Sequence, residues 1–148
     1  MMSAMTTLTP ARIVTAIAFV AVGLVLGRFT ASTHAQSAGK VFELRTYTAP
    51  DGKLGDLDKR FRDHTMRIFK NHGMTSVAYF RPHDAPLSQN TLIYLISHQS
   101  RDAAKANWAA FQADPEWQKV ANESQKNGKI VAKVESVFLD PTDYSPMK

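Results

Sequence analysis

Three polar side chains that could bind a ligand or transfer a proton alternate along the segment VFELRTYT. They are Glu43, Arg45 and Tyr47, and alternate residues of a β-strand share one face. In a pocket, Arg45 could hold an anion while Glu43 or Tyr47 handles a proton. The alternative is structural. In that case a buried Glu43–Arg45 network, joined by Lys133 and Glu135, fixes the strand register or a dimer seam.

Histidines give a weaker chemical signal. His64 lies at the edge of the apolar stripe of a predicted helix, where it could act as a base reaching toward the sheet or simply be hydrogen-bonded. His72 lies on the same stripe, but eight residues of helix separate the two by about 12 Å. The pair therefore cannot share one metal ion, and His72 is expected at the helix C-terminus. No metal site is predicted, although His98 could join one in three dimensions.

Two further predicted strands also carry alternating polar and aromatic residues. Tyr79 alternates with Arg81, and Tyr94 shares a strand with His98. Such residues could stack on a flat organic ligand or could fill the interior. The catalytic candidates are His64 and Tyr79. The ligand-binding candidates are Glu43, Arg45, Tyr47, His64, Tyr79, Arg81 and His98.

The elements that position these residues follow from periodicity and turn chemistry. Strands are predicted at 41–48, 74–81, 91–98 and 130–139, and helices at 53–72, from 100 to Asp114, and at 115–125. Gly73 suits a left-handed helix end. Ser100 can cap the second helix, while Asp114 and Pro115 suit the N-cap and first residue of the third.

This order predicts an α+β fold of the ferredoxin-like βαββαβ type, with a four-stranded antiparallel sheet and the helices on one face. If the face of Phe42 and Leu44 packs on the helices, the Glu43 face points away from them. The last two strands are apolar on both sides, so both faces of the sheet need a cover. We therefore expect a homodimer, closed sheet against sheet as a dimeric α/β-barrel.

A hydrophobic leader precedes the predicted domain. Ile13 to Leu26 form 14 residues without charge, behind Arg12, which is typical of a signal peptide and short for a bilayer span of about 20 residues. Cleavage is expected after Ala35, and the alternative is a retained membrane anchor. The predicted organisation is a signal peptide or anchor at 1–35, a linker at 36–40, the domain at 41–140 and a tail at 141–148.

Composition excludes several classes of function. The chain has no cysteine, which rules out disulfides and thiolate chemistry. Its net charge of +5 falls to +3 once the two leader arginines are removed. Lysines and acids are interspersed, so no nucleic-acid partner is expected. No nucleophile elbow, phosphate-binding loop or dinucleotide fingerprint is present, and no cofactor is expected.

Several motifs resemble the NIPSNAP family. They are E-L-R-T-Y at Glu43–Tyr47, H-G-M at His72–Met74 and A-D-P-E-W at Ala113–Trp117, and the likeness covers about Val41 to Asp140. One departure is Pro50-Asp51-Gly52, where the family more often has proline followed directly by glycine. The resemblance implies the dimeric α/β-barrel fold. Related barrels include cofactor-free monooxygenases, haem-degrading enzymes and small-molecule binders, and the fold does not choose among them.

These observations lead to three functional hypotheses. The first is an exported homodimer, periplasmic or secreted, that binds a small molecule or a partner protein without catalysing a defined reaction. The second is a small cofactor-independent monooxygenase-like or haem-handling enzyme, in which Arg45 orients an acidic or enolic substrate and His64 or Tyr79 carries a proton. The third is an accessory subunit of a larger complex, attached to a membrane only if the leader is retained. An open interior with an unpaired histidine would favour chemistry, and internally paired polar groups would favour binding or structure.

Overall fold

The computed structural model describes residues 39–147 as one α+β unit, and the predicted leader at 1–35 lies outside the described residues. Its four strands are β1 (Val41–Thr48), β2 (Thr75–Phe80), β3 (Thr91–His98) and β4 (Lys133–Leu139). They form one antiparallel sheet in the order β2-β3-β1-β4. The predicted βαββαβ fold is therefore confirmed.

The first helical segment contains a wider turn in its middle. It consists of α1 (Leu54–Arg60), a π-helical turn (Phe61–Thr65) and α2 (Met66–Asn71). In the π-helical turn, the amide of Met66 donates to the carbonyl of Phe61, five residues earlier, and the Thr65 hydroxyl donates to the carbonyl of Arg60 at 3.2 Å. Such turns are frequent at functional sites.

Two shorter-range signals fixed the second helical region. The hydroxyl of Ser100 accepts a hydrogen bond from the amide of Ala103 at the start of α3 (Arg101–Ala113). Asp114 then caps α4 (Pro115–Ser124), with proline in the first turn. Each cap satisfies an amide that the helix itself leaves unpaired, and each was predicted at the correct residue.

Gly73 ends the first helical segment in the left-handed region, with φ of +73°. A Cβ atom at this position would also lie only 3.2 Å from the side chain of Asn107. The backbone conformation therefore favours glycine, and any larger residue would also have to displace the side chain of Asn107 slightly.

The orientation expected for the sheet is wrong. Tyr47 packs edge-on against Phe61 of the helical layer at 5.8 Å between ring centroids, and Trp108 of α3 reaches Glu43. The face of Glu43, Arg45 and Tyr47 therefore lies beneath the helices. Both faces of β1 can accept an apolar neighbour, so the alternation alone did not decide which one the helices cover.

The face of the sheet opposite the helices remains partly apolar and open. Phe80 is 54 % exposed, Val137 55 % and Leu139 40 %. Their registers with Ile93, Leu44 and Phe42 place all three on this face, which we call the outer face. The prediction of two apolar faces on the last two strands therefore holds, although β4 begins three residues later than expected.

The core lies between the sheet and the helices. Tyr94, Ile96, Leu57, Ile68 and Phe69 are buried there, together with Ile130 from the loop before β4. Within the described part of the chain, no helix has the length and apolar character needed to cross a membrane.

Candidate functional site

Glu43 is the centre of a buried hydrogen-bond network between the sheet and α3. Its carboxylate is 1 % exposed and accepts from Arg45 Nη1 at 2.7 Å, Ser136 Oγ at 2.6 Å, Trp108 Nε1 at 2.6 Å and His98 Nε2 at 3.1 Å. We call these five residues the Glu43 network. All of its acceptor positions face a donor, which is the arrangement that a buried carboxylate requires.

This network differs from the predicted one in its partner on the last strand. Ser136 is paired with Arg45 across the strands, whereas Glu135 is paired with Thr46 and therefore lies on the outer face. Lys133 and Glu135 bond to each other at 2.9 Å and do not join Glu43. Because successive side chains of a strand point to opposite faces of the sheet, neighbouring residues such as Glu135 and Ser136 lie on different faces.

The electrostatics of Glu43 follow from these contacts. Burial by itself would raise the pKa of the carboxyl group. The hydrogen bonds from His98, Ser136, Trp108 and Arg45 outweigh burial and lower the pKa to about 2. Glu43 is therefore a carboxylate at all physiological pH values and cannot act there as a general acid.

His98 is held on both ring nitrogens. Its Nε2 donates to Glu43, and its Nδ1 lies 3.3 Å from the Asn107 amide nitrogen, which also donates to the carbonyl of Gly73 at 3.1 Å. This pattern suits the neutral imidazole. His98 thus ties β3 to α3 and has no ring nitrogen left for a substrate.

A second polar cluster lies beside the first on the same face of the sheet. It contains Arg45 and Tyr47 of β1, Tyr94 of β3 and Arg60 of α1, and we call it the arginine–tyrosine layer. Arg45 donates to the hydroxyl of Tyr47 at 3.4 Å, and the rings of Tyr47 and Tyr94 lie 5.3 Å apart. Burial lowers the pKa of both guanidinium groups, and the nearby Tyr47 and Tyr94 act in the opposite direction.

Each arginine of the layer also lies against a tryptophan ring. The guanidinium carbon of Arg45 is 4.2 Å from the ring centroid of Trp108, and that of Arg60 is 5.1 Å from the ring centroid of Trp117. Cation–π contacts of this kind fix the planes of the guanidinium groups. The layer therefore places two cations against aromatic rings.

Hydrogen bonding in this layer is incomplete. Three buried polar atoms have no partner among the described residues, and all three are potential donors: Arg45 Nε, Arg60 Nε and the hydroxyl of Tyr94. Burial, followed by the nearby Tyr47 phenol, raises the pKa of Tyr94 well above its usual value, so its hydroxyl keeps its proton. Buried donors without partners are rare in folded proteins.

Arg60 connects this layer to the surface. It is 6 % exposed, and its pKa is lowered by burial, against which the two phenols act. Its Nη1 lies 3.5 Å from Ser124 Oγ, a weak contact. Arg60 also lines a cleft of about 270 Å³ between α1 and α4, with Val120 on the apolar side and His64 at the rim.

The layer is also open toward the edge of the sheet. On β4, Val134 is 44 % exposed and Ser136 is exposed, although both face the side of the sheet that carries the helices. Tyr47, Trp108 and Trp117 are only half-buried. The helices therefore cover the β1 and β3 part of this face more completely than the β4 part.

The remaining predicted site residues lie elsewhere. His64 is exposed at the cleft and does not reach the sheet, because Thr65 takes the buried position of the helical stripe. Tyr79 stacks on Tyr94 with 5.6 Å between centroids and bonds to Ser76 at 2.8 Å. Arg81 is 49 % exposed and pairs with Asp58. The structure thus places Glu43, Arg45, Tyr47 and His98 together and leaves His64 and Arg81 apart.

His72 occupies the helix end where it was expected. Its Nε2 lies 2.6 Å from the carboxylate of Asp114, the N-cap residue of α4, and this hydrogen bond is the main cause of a lowered Asp114 pKa. Within residues 39–147 no group of three or more metal-binding side chains is found.

Sequence reasoning missed Arg60 and Tyr94 as functional candidates. Arg60 follows Leu57 by three residues and directly precedes Phe61, so it occupies the buried side of the helix. A cation inside an apolar stripe is unusual, so the position of Arg60 in the sequence could have indicated a functional candidate. Nothing in the sequence indicated that the hydroxyl of Tyr94 would lack a partner.

Comparison with known proteins identifies the family of the fold. A family model described as NIPSNAP matches residues 42–146. A NIPSNAP family protein of unknown function from Agrobacterium tumefaciens has 23 % identity and a TM-score of 0.65, covering 76 % of this chain and 96 % of that one. None of the curated proteins compared matches the chain.

Two further solved structures have the same fold. A second NIPSNAP family protein from Agrobacterium tumefaciens has 24 % identity and a TM-score of 0.64, with 74 % of this chain and 99 % of that chain covered. A NIPSNAP-like domain protein from Burkholderia xenovorans has 19 % identity and a TM-score of 0.64, covering 74 % of this chain and 90 % of that chain.

Proposed function

We propose that this chain, which belongs to the NIPSNAP family, is an exported homodimer that binds a small molecule at the arginine–tyrosine layer. One observation carries this proposal. Three buried donors on Arg45, Arg60 and Tyr94 have no partner in the described part of the chain, within a layer that is open at one edge. Unpaired buried donors are costly, and a ligand that accepts hydrogen bonds would remove this cost.

The contrast with the Glu43 network supports binding over catalysis. His98 and His72 are both hydrogen-bonded to protein side chains, and His64 is exposed. Tyr79 has a raised pKa, chiefly because of burial, which makes it a poor base near neutral pH. The enzymatic hypothesis needs a proton carrier beside Arg45. In the described part of the chain, neither His64 nor Tyr79 is hydrogen-bonded to Arg45.

The dimer is proposed from the outer face. Phe80, Val137 and Leu139 are all at least 40 % exposed there, and half-buried Leu44 and Leu95 lie between them in the sheet. A contiguous apolar surface of this kind on a sheet marks an interface. A second copy of the same face is the simplest cover, since it matches itself under two-fold symmetry.

We propose export because of the predicted leader, and export would place the domain in the periplasm or outside the cell. Membrane association follows only if the leader is retained. A partner protein, or a role as an accessory subunit, is the remaining alternative, and no nucleic-acid partner is proposed.

Native mass spectrometry of the protein purified from its own host tests all three parts. We expect protomers that begin at Gln36, assembled as a dimer that carries additional mass. A stable monomer at micromolar concentration would refute the dimer. Protomers that begin at Met1 would refute cleavage and favour the anchored hypothesis. A bare dimer whose melting temperature does not change with any small organic compound tested would refute ligand binding.

A further inference from the structure

We propose that the ligand is a small organic molecule with a single negative charge, and that Arg60 binds its carboxylate. This inference rests on the proposed function and specifies the class of ligand. It starts from the charges of the arginine–tyrosine layer. Arg45 is neutralised by Glu43 at 2.7 Å, whereas Arg60 has no ion-pair partner within residues 39–147. One buried positive charge therefore remains uncompensated.

An uncompensated buried guanidinium is unfavourable, because it has lost water without gaining a counter-ion. Among the described residues, the Arg60 guanidinium group contacts the hydroxyl of Ser124 at 3.5 Å and the ring of Trp117. Within this part of the chain, the carboxylates at the rim of the cleft form no ion pair with it. A carboxylate would replace the weak serine contact with charge-assisted hydrogen bonds, which are about twice as strong as neutral ones.

The types of unpaired atoms also select an anion. Arg45 Nε and Arg60 Nε can only donate, and the hydroxyl of Tyr94 donates most readily to an anionic oxygen. A cationic ligand in the cleft lined by Arg60, or one that carries only donors, would leave Arg60 unsatisfied. The ligand must therefore present acceptors.

The cleft limits both charge and size. Its rim carries Asp56, Asp63 and Glu123 beside Lys59. Asp56 pairs with Lys53, and Asp63 pairs with Lys59. The carboxylate of Glu123 is then left as an excess negative charge at the rim, which repels a dianion more strongly than a monoanion. Its volume of about 270 Å³ lies just below the usual range of ligand pockets, about 300–1,000 Å³. A small monoanion fits these limits better than a phosphate ester.

Matched pairs of acids and amides test the inference. The melting temperature of the host-purified protein is measured with sodium benzoate, benzamide, sodium acetate and acetamide at constant ionic strength. Each pair has nearly the same shape, so a difference within a pair reports charge. We expect the carboxylates to raise the melting temperature and the amides to leave it unchanged, with inorganic phosphate less effective than benzoate.

Two variants locate the effect. Arg60→Gln should abolish the response to benzoate, whereas Arg67→Gln, which removes an exposed arginine paired with Glu116, should keep it. If Arg60→Gln does not fold, Arg60→Lys keeps the charge without the planar guanidinium and should weaken benzoate binding roughly tenfold.

The outcomes separate this inference from the proposed function. Equal responses to acid and amide, or a full benzoate response in Arg60→Gln or Arg60→Lys, would overturn the anion while leaving small-molecule binding intact. A lack of response to all four compounds overturns the carboxylate inference. If native mass spectrometry then also finds no bound mass, the proposed function fails with it.

Discussion

Two polar clusters lie side by side on one face of this sheet, and they differ in how completely their groups are paired. In the Glu43 network, the carboxylate accepts four hydrogen bonds and His98 is bonded on both nitrogens. In the arginine–tyrosine layer, buried donors of Arg60 and Tyr94 have no partner among the described residues. The first cluster connects α3 to the sheet through hydrogen bonds, and the second is where we propose that a ligand binds.

Arg45 belongs to both clusters and explains why the opening motif was ambiguous. Its Nη1 bonds to Glu43 and its Nη2 to Tyr47, while its Nε is unpaired. The structural interpretation of the motif therefore holds for Glu43 and one side of Arg45, and the functional interpretation of Arg45 and Tyr47 stays a prediction. The comparison predicts that substitutions in the paired cluster cost stability, whereas those in the unpaired cluster cost binding.

The largest effect is expected for Glu43→Gln. Glutamine offers one acceptor oxygen and turns an NH₂ group toward donors, and it leaves Arg45 without its counter-ion. The free energy of unfolding should fall by about 3–5 kcal/mol, measured by urea denaturation. Glu135→Gln is the matched control, since it removes an exposed partner of Lys133 and should cost less than about 1 kcal/mol. Equal small losses in both variants would show that the network contributes little.

The pH dependence of stability should report the same carboxylate. The folded-state pKa of Glu43 is about 2 against an ordinary value of 4.5, so its contribution is complete above pH 4.5 and is lost as the pH falls toward 2. That difference corresponds to about 3 kcal/mol. Urea denaturation between pH 5 and pH 2 should show this loss in the wild type and a smaller loss in Glu43→Gln. Parallel pH profiles would contradict a lowered pKa at Glu43.

A smaller effect is expected from removing each arginine of the layer in turn. Arg45→Met removes the ion pair of Glu43, which keeps three other donors, and should cost about 2 kcal/mol. Arg60→Met removes a charge that has no ion-pair partner in residues 39–147, so the free energy of unfolding should change by less than about 1 kcal/mol. Thermal and urea unfolding of the two variants in parallel provide the measurement. A larger loss of unfolding free energy in Arg60→Met than in Arg45→Met would contradict the distinction between the paired and the unpaired cluster.

The sequence was informative where the signal was local. Ser100, Asp114 and Gly73 were assigned correctly because caps and left-handed helix ends depend on one residue and its immediate neighbours. The succession of strands and helices along the chain and the two apolar faces followed from periodicity. The family resemblance was confirmed by the match over residues 42–146.

The sequence was not informative where the answer depended on pairing across the chain. Glu43 meets Trp108 and Ser136, which are 65 and 93 residues away, and no spacing rule connects such positions. The π-helical turn that sets Arg60 and Thr65 on the inner side of the helix also has no local signature here. The burial of Thr65 in place of His64 could not be predicted for this reason, since the helical stripe allowed either neighbour to be buried.

The most direct test of the comparison is the stability of Tyr94→Phe, measured by urea denaturation without added ligand. Thr65→Val is the paired counterpart, because its buried hydroxyl donates to the Arg60 carbonyl at 3.2 Å and its loss should cost about 1 kcal/mol. The Tyr94 hydroxyl makes no hydrogen bond of normal geometry among the described residues, although it interacts with the Tyr47 phenol. Its removal should therefore leave the free energy of unfolding unchanged or raise it by up to about 1 kcal/mol. A loss in Tyr94→Phe equal to or larger than that in Thr65→Val would show that this hydroxyl is paired in the folded protein, and it would contradict a binding role for the arginine–tyrosine layer.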